Sequence, residues 1–151
     1  MIKIFYTDGS ARKNPGPGGY GVVRIDKHIK KTTSTEYIEN LSLEYSYFEL
    51  CDYTTNNREE LKAVLHVLKI AAAEPRYEYI IYSDSAYAVN ICNDWIWKWA
   101  SNDWVRRNGN QVKKIENLDL IKQIYSLINF PTFKYKIYKC KGHNNILENE
   151  L

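Results

Sequence analysis

The sequence predicts an α/β fold, a mixed five-stranded sheet with helices on both faces. Three observations lead there. β-rich runs recur at Lys3–Tyr6, Gly19–Ile25, Leu43–Tyr53, Tyr77–Tyr82 and Phe133–Cys140. One stretch, Asn57–Ala73, carries the apolar rhythm of a buried helix face instead. That helix separates the third run from the fourth, and a strand–helix–strand passage implies a crossover that lays the later strand parallel to an earlier one.

Taken in order, Ile2–Tyr6 alternates in part and turns polar at Asp8, which puts a carboxylate at a strand end. Asn14-Pro15-Gly16-Pro17-Gly18-Gly19 then turns the chain tightly, and Tyr20–Ile25 returns antiparallel. In the third run Leu43, Tyr45 and Tyr47 alternate with Glu44 and Ser46, then the apolar phase shifts to Phe48 and Leu50, the mark of a bulge. The segment before it, His28–Ser42, either extends a long hairpin or forms a separate excursion. In the helix, Leu61, Val64, Leu65 and Leu68 keep the spacing of a buried stripe, Asn56 or Asn57 stands where a cap belongs, and Pro75 follows its end. Tyr77–Tyr82 ends at Ser83-Asp84-Ser85, after which Ala86–Cys92 resumes helix and the Trp-rich Asp94–Trp104 reads as helical. Val105–Ile115 is polar and basic and reads as a loop. Leu118, Ile121, Tyr125 and Ile128 mark a further helix before the last strand, and Gly142–Leu151 opens a loop and a final helix.

At 151 residues the chain is long enough for one domain with a substantial core, so residues 1–151 are expected to form a single domain. No run approaches the roughly 18 apolar residues that span a bilayer, and no basic-then-apolar leader opens the chain. Cys51, Cys92 and Cys140 match no zinc or redox spacing, which suggests free thiols in a reducing compartment. A cytoplasmic monomer without a membrane partner is expected. The net charge of +3 is too mild to identify a polyanionic partner. Its distribution says more, because Arg106, Arg107, Lys113 and Lys114 fall in one segment with no acid between them.

Four strings carry chemistry: Tyr6-Thr7-Asp8-Gly9-Ser10, Thr54-Thr55-Asn56-Asn57-Arg58-Glu59-Glu60-Leu61, Tyr82-Ser83-Asp84-Ser85-Ala86-Tyr87 and Lys141-Gly142-His143. Taken singly, each is ordinary: Asp8 ends a strand, Glu60 suits a helix dipole, Asp84 suits an N-cap, and His143 sits in a polar loop. Together, in this order and across almost the whole chain, they resemble ribonuclease H of type 1, the bacterial form in particular. The resemblance implies the ribonuclease H-like fold, in which the strand after the crossover helix lies beside the first. Asp8 and Asp84 would then emerge side by side at one sheet edge, with Glu60 brought over it by the first turn of the helix. Three clustered carboxylates repel one another, and the usual relief is a hard divalent cation, Mg²⁺ by default with Mn²⁺ as a substitute. Two such ions about 4 Å apart activate a water and stabilise the leaving oxygen of a phosphodiester. The expected activity is endonucleolytic hydrolysis of the RNA strand of an RNA–DNA hybrid, leaving 5′-phosphate and 3′-hydroxyl ends. Asp8, Glu60 and Asp84 are the expected metal ligands, with the Gly9 carbonyl added, and His143 is the expected aid to product release or leaving-group protonation. His28 and His66 match no motif and read as surface or packing residues.

The resemblance extends to the substrate. Asn14, Asn56 and Asn57 match positions that contact the hybrid, where an amide both donates to and accepts from a 2′-hydroxyl. Thr55 matches part of a pocket for a DNA-strand phosphate. Trp95, Trp99 and Trp104, with Lys98, Arg106, Arg107, Lys113 and Lys114, resemble the basic protrusion of the bacterial enzymes, with at least one of Trp95 and Trp99 expected in the core. Ala100, Ser101, Asn102 and Asp103 stand where the bacterial form is strongly basic, so weaker and still salt-sensitive binding is expected.

The pattern also breaks. The family carries a fourth carboxylate, an Asp beyond the histidine, and here the sequence closes on Glu148-Asn149-Glu150-Leu151 before it. A truncated final helix is the first expectation. A natural protein with fewer ligands, or a hybrid-binding domain with weak or no activity, are the alternatives. A segment of a larger polyprotein is disfavoured by Met1 directly before the first strand and by the retained Trp-rich protrusion.

Overall fold

The computed structural model describes residues 1–31, 33 and 35–141. Three antiparallel strands open the chain: β1 (Ile2–Ala11), β2 (Gly16–Lys31) and β3 (Glu36–Thr54). Helix α1 (Asn56–Ala73) crosses over to β4 (Glu78–Ser83). One helical run follows, built from α2 (Ala86–Asn90), a π-helical turn (Ile91–Trp95) and α3 (Ile96–Ser101). A small two-stranded ribbon, β5 (Arg106–Asn108) and β6 (Gln111–Lys113), leads to α4 (Leu118–Ile128) and β7 (Lys134–Lys139). The main sheet runs β3-β2-β1-β4-β7. β4 lies parallel to β1, as the crossover predicts, and β7 lies parallel to β4.

Among the described residues an apolar cluster joins one face of this sheet to the helices. Phe5, Val22, Tyr79, Ile81 and Ile137 meet the stripe Leu61, Val64, Leu65 and Leu68 of α1 and Ile121, Ile124 and Ile128 of α4. The helical spacing therefore marks the buried face correctly, and each such side chain contributes about 1.5–3 kcal/mol by leaving water. His66 is a packing residue: its two ring nitrogens meet the hydroxyls of Tyr20 (3.2 Å) and Tyr45 (2.7 Å). The other face carries a row set by strand register, Tyr6↔Tyr82↔Tyr138. These rings are 5.3 and 5.9 Å apart. The final helix expected after Lys141 falls outside the described residues.

Several local expectations need correction. The cap of α1 is Thr55, not Asn56 or Asn57: its hydroxyl accepts from the Arg58 N–H at 3.2 Å. The β2–β3 register runs unbroken from Tyr47 through Leu50 and slips elsewhere, between Gly16 and Gly18, between Arg24 and Ile25, and between His28 and Ile29. Phe48 and Leu50 are simply exposed, at 69% and 75%, so their apolar character marks no bulge. Of the two readings of His28–Ser42, the described residues follow the long hairpin, with pairs from Asp26↔Ser42 to Lys31↔Glu36. The presumed loop at Val105–Ile115 holds the β5–β6 ribbon, closed by Gly109-Asn110 with Gly109 at φ +63°, as a primed two-residue turn requires.

Leu68 is fully buried at the centre of the cluster. Leu68→Ala is expected to lower unfolding free energy by about 2–5 kcal/mol in denaturant melts. An effect under about 0.5 kcal/mol, the size of a surface substitution, would contradict this core assignment.

Candidate functional site

The site is assembled by strand register and one close helix contact. Thr7 pairs with Ser83 across the parallel β1–β4 ladder, so the next residues, Asp8 and Asp84, leave the same sheet edge together. Ser85 caps α2 by accepting from Ala88 N–H at 3.1 Å, so Asp84 is not the cap of that helix. The first turn of α1 brings the third acid. A Cβ on Gly9 would stand 2.4 Å from the carbonyl carbon of Glu59 and 2.6 Å from the nitrogen of Glu60, so only glycine permits this approach. Gly9 N–H then donates to Glu60 Oε1 at 3.1 Å, and Ser83 Oγ makes a long 3.5 Å contact with Oε2. Ser83 Oγ also accepts from Ser85 N–H at 3.1 Å.

One carboxylate oxygen from each of Asp8, Glu60 and Asp84 lies within 4.8 Å of the others. Glu60 is the buried member at 7% exposure, with Asp8 and Asp84 half-buried. Burial pushes the Glu60 carboxyl up from its ordinary 4.5 to about 8, and Asp84 and then Asp8 add to the rise. The Gly9 and Ser83 hydrogen bonds oppose it. An all-oxygen donor set of three acids, one of them pushed toward its protonated form by burial and then by its acidic neighbours, fits Mg²⁺ or Mn²⁺. Cation binding would displace that proton.

Around this edge the sequence-predicted substrate residues divide into two groups. In the first, Asn14 Oδ1 accepts from Asn56 N–H at 2.8 Å, and Asn56 Oδ1 accepts from Ala11 N–H at 2.6 Å. The two amides stitch the β1–β2 turn to the start of α1, with Thr55 and Asn57 beside them. In the second, Trp95 is 44% exposed and stacks on Trp99 at 5.9 Å, with Lys98 Nζ 4.7 Å from the Trp95 ring centre. Lys98 also pairs with Asp94 at 3.4 Å. Trp99 and Trp104 pack against the core, Trp104 edge-on to Tyr125 at 5.0 Å. Tyr87, Asn90, Ile91, Trp95, Trp99 and Arg106 line a hollow of about 280 Å³. Arg106 and Lys113 face each other across the ribbon, Arg107 lies beside them, and Lys114 follows. His143 lies outside the described residues.

Sequence reading missed three features. Trp97 is exposed beside Tyr125. Arg58 forms two hydrogen bonds to Asp119 (3.0 and 2.9 Å) and one to Asn117, tying α1 to α4. Glu59 is fully buried. None of the three left a readable signal, whereas the β5–β6 ribbon did, in Gly109-Asn110 between two basic pairs.

The raised Glu60 carboxyl carries a stability consequence for the metal-free protein. Below about pH 4.5 it is neutral in both folded and unfolded chains. Between 4.5 and about 8 the unfolded chain ionises first, so the folded state loses stability as pH rises, and above 8 the loss is constant. Glu60→Gln is therefore expected to melt higher than the parent in chelator at pH 8, with the gap closing at pH 4.5. A gap independent of pH would contradict this.

Comparison with known proteins agrees with this geometry. The family model described as RNase H matches residues 2–151. The ribonuclease H of Caldicellulosiruptor saccharolyticus is 39% identical over 142 residues, covering 93% of this chain and 83% of that protein. That of Caldanaerobacter subterraneus is also 39% identical, covering 99% and 85%. The ribonuclease HI of Haemophilus ducreyi is 38% identical, covering 99% and 84%. Among solved structures, LC9-RNase H1 superposes with a TM-score of 0.69 at 24% identity, covering 99% of this chain and 67% of that one. The PFV RNase H domain superposes at 0.72, also at 24% identity, covering 94% and 80%. With a family match along nearly its whole length and bacterial relatives at this identity, the chain belongs to the RNase H family.

Proposed function

We propose that this protein is an endoribonuclease that hydrolyses the RNA strand of RNA–DNA hybrids with two divalent cations, leaving 5′-phosphate and 3′-hydroxyl ends. The observation that carries the reading is the carboxylate cluster at the β1–β4 edge, with oxygens of Asp8, Glu60 and Asp84 within 4.8 Å. Relatives of this identity bear the name ribonuclease H. A further family structure, LC11-RNase H1, is known in complex with an RNA/DNA hybrid and superposes at a TM-score of 0.61 and 20% identity.

Bound between these carboxylates, two Mg²⁺ would supply an activated water and charge stabilisation at the leaving oxygen. The chain's own residues do the rest. Asp8, Glu60 and Asp84 would hold the cations, the Gly9 carbonyl would add a ligand, and the Gly9 N–H aims the Glu60 carboxylate. Asn14 and Asn56 commit their carbonyl oxygens to the fold. Their amide N–H₂ groups are then the donors they can turn toward 2′-hydroxyls in the minor groove, with Asn57 beside them. Thr55 accepts the capping bond and keeps its own O–H to donate to a DNA-strand phosphate. Trp95 and Trp99 offer an aromatic wall, Trp104 supports it from the core, and Lys98, Arg106, Arg107, Lys113 and Lys114 attract phosphates. His143 takes the proton-transfer or product-release role that the family resemblance assigns it.

Cleavage of an end-labelled hybrid, beside single-stranded RNA and duplex DNA, tests this directly. Cutting is expected only for the hybrid, with Mg²⁺ or Mn²⁺ and not in chelator. Asp84→Asn is expected to lower the rate by more than about a hundredfold, beyond what outer-shell changes cost. Hybrid binding without cutting in either metal would favour the binding-domain alternative. Hybrid affinity should fall steeply with salt, and Arg106→Ala should reduce the slope of log affinity against log salt by about one. An unchanged slope would remove Arg106 from the interface.

A further inference from the structure

Glu59 sits at 0% exposure one residue before Glu60. Its Oε2 accepts from Thr54 Oγ1 at 2.8 Å and from Lys62 Nζ at 2.8 Å. Its Oε1 is buried with no hydrogen-bond partner among the described residues. An unpartnered buried carboxylate oxygen is costly, and an apolar side chain of the same size would serve packing alone at least as well. The acid therefore calls for an account other than fold stability.

The geometry supplies one. Thr54 is the last residue of β3, and its Cγ2 lies so close to Gly18 that a Cβ there would come within 2.8 Å of it. Neighbouring residues on a helix point about 100° apart. When Glu59 turns inward to meet Thr54, the next side chain points across Gly9, where its N–H meets Glu60 Oε1 at 3.1 Å. Lys62, one turn further along, locks the same carboxylate from the helix side. The clamp thus fixes the rotation of the first turn of α1 about its own axis. That rotation decides whether the Glu60 oxygens fall within reach of Asp8 and Asp84.

We propose that Glu59, held by Thr54 and Lys62, is a positioning residue that aims Glu60 into the carboxylate cluster, and that the protein tolerates its buried oxygen for that purpose. This rests on the reading of the cluster as a metal centre.

Calorimetric titration of Mn²⁺ into the metal-free protein, paired with thermal melts, separates the two. Glu59→Met should melt at or above the parent temperature and yet bind Mn²⁺ about tenfold more weakly, as loss of an outer-shell partner does. Glu59→Gln, which keeps an acceptor for the Thr54 hydroxyl, should restore most of that affinity. Thr54→Val, which deletes the hydroxyl alone, should weaken binding in the same direction. Mn²⁺ affinity as tight as the parent's in both Glu59→Met and Thr54→Val would overturn the proposal. If Glu59→Met failed to fold, Thr54→Val decides alone: weaker binding supports the clamp and unchanged binding overturns it. Asp8→Asn is the separate control. If it bound Mn²⁺ as well as the parent, the metal reading itself would fall, whatever Glu59 did.

Discussion

The first turn of α1 lies directly on β1 at Gly9, and the rest of the site depends on that contact. The approach leaves no room for a Cβ. It gives Glu60 its backbone partner and brings a helical acid over a sheet edge where register has already placed Asp8 and Asp84. Strand pairing alone assembles two acids. The glycine admits the third.

The contact is maintained against electrostatic cost. Glu60 is buried beside two other acids, which is why its proton is held so tightly. Glu59 adds a second buried carboxylate on the preceding position, with one oxygen unpaired among the described residues. Such features persist where the surrounding structure outweighs them. Here the weight comes from the continuous cluster between α1, α4 and the inner sheet face, and from the Arg58–Asp119 link that joins the two helix starts. Residues proposed to meet the substrate carry structural work as well: Asn14 and Asn56 close the β1–β2 turn onto α1 with the same amides that recognition would use. Fold and function are therefore hard to separate by mutation in this corner.

Much of this was readable from the chain. The α1 stripe, the crossover and the strand ends at Asp8 and Asp84 rest on period and polarity, which burial enforces. The Thr55 cap was missed because Asn56 and Asn57 have equal capping chemistry and only backbone geometry chooses among three neighbours. The bulge was misplaced because exposed Phe48 and Leu50 imitate an inward phase shift. Glu59 was unreadable: in sequence it is one more acid in a first turn, and its partner Thr54 belongs to another element. The roles of the tryptophans were only half readable, since Trp95 and Trp99 share a helical spacing but only Trp99 packs against the core.

Anomalous diffraction from crystals soaked in Mn²⁺ tests the central claim most directly. The account predicts anomalous density between Asp8, Glu60 and Asp84, with a carboxylate oxygen from each in the coordination shell. Strong Mn²⁺ density elsewhere, with these three side chains left uncoordinated, would contradict it.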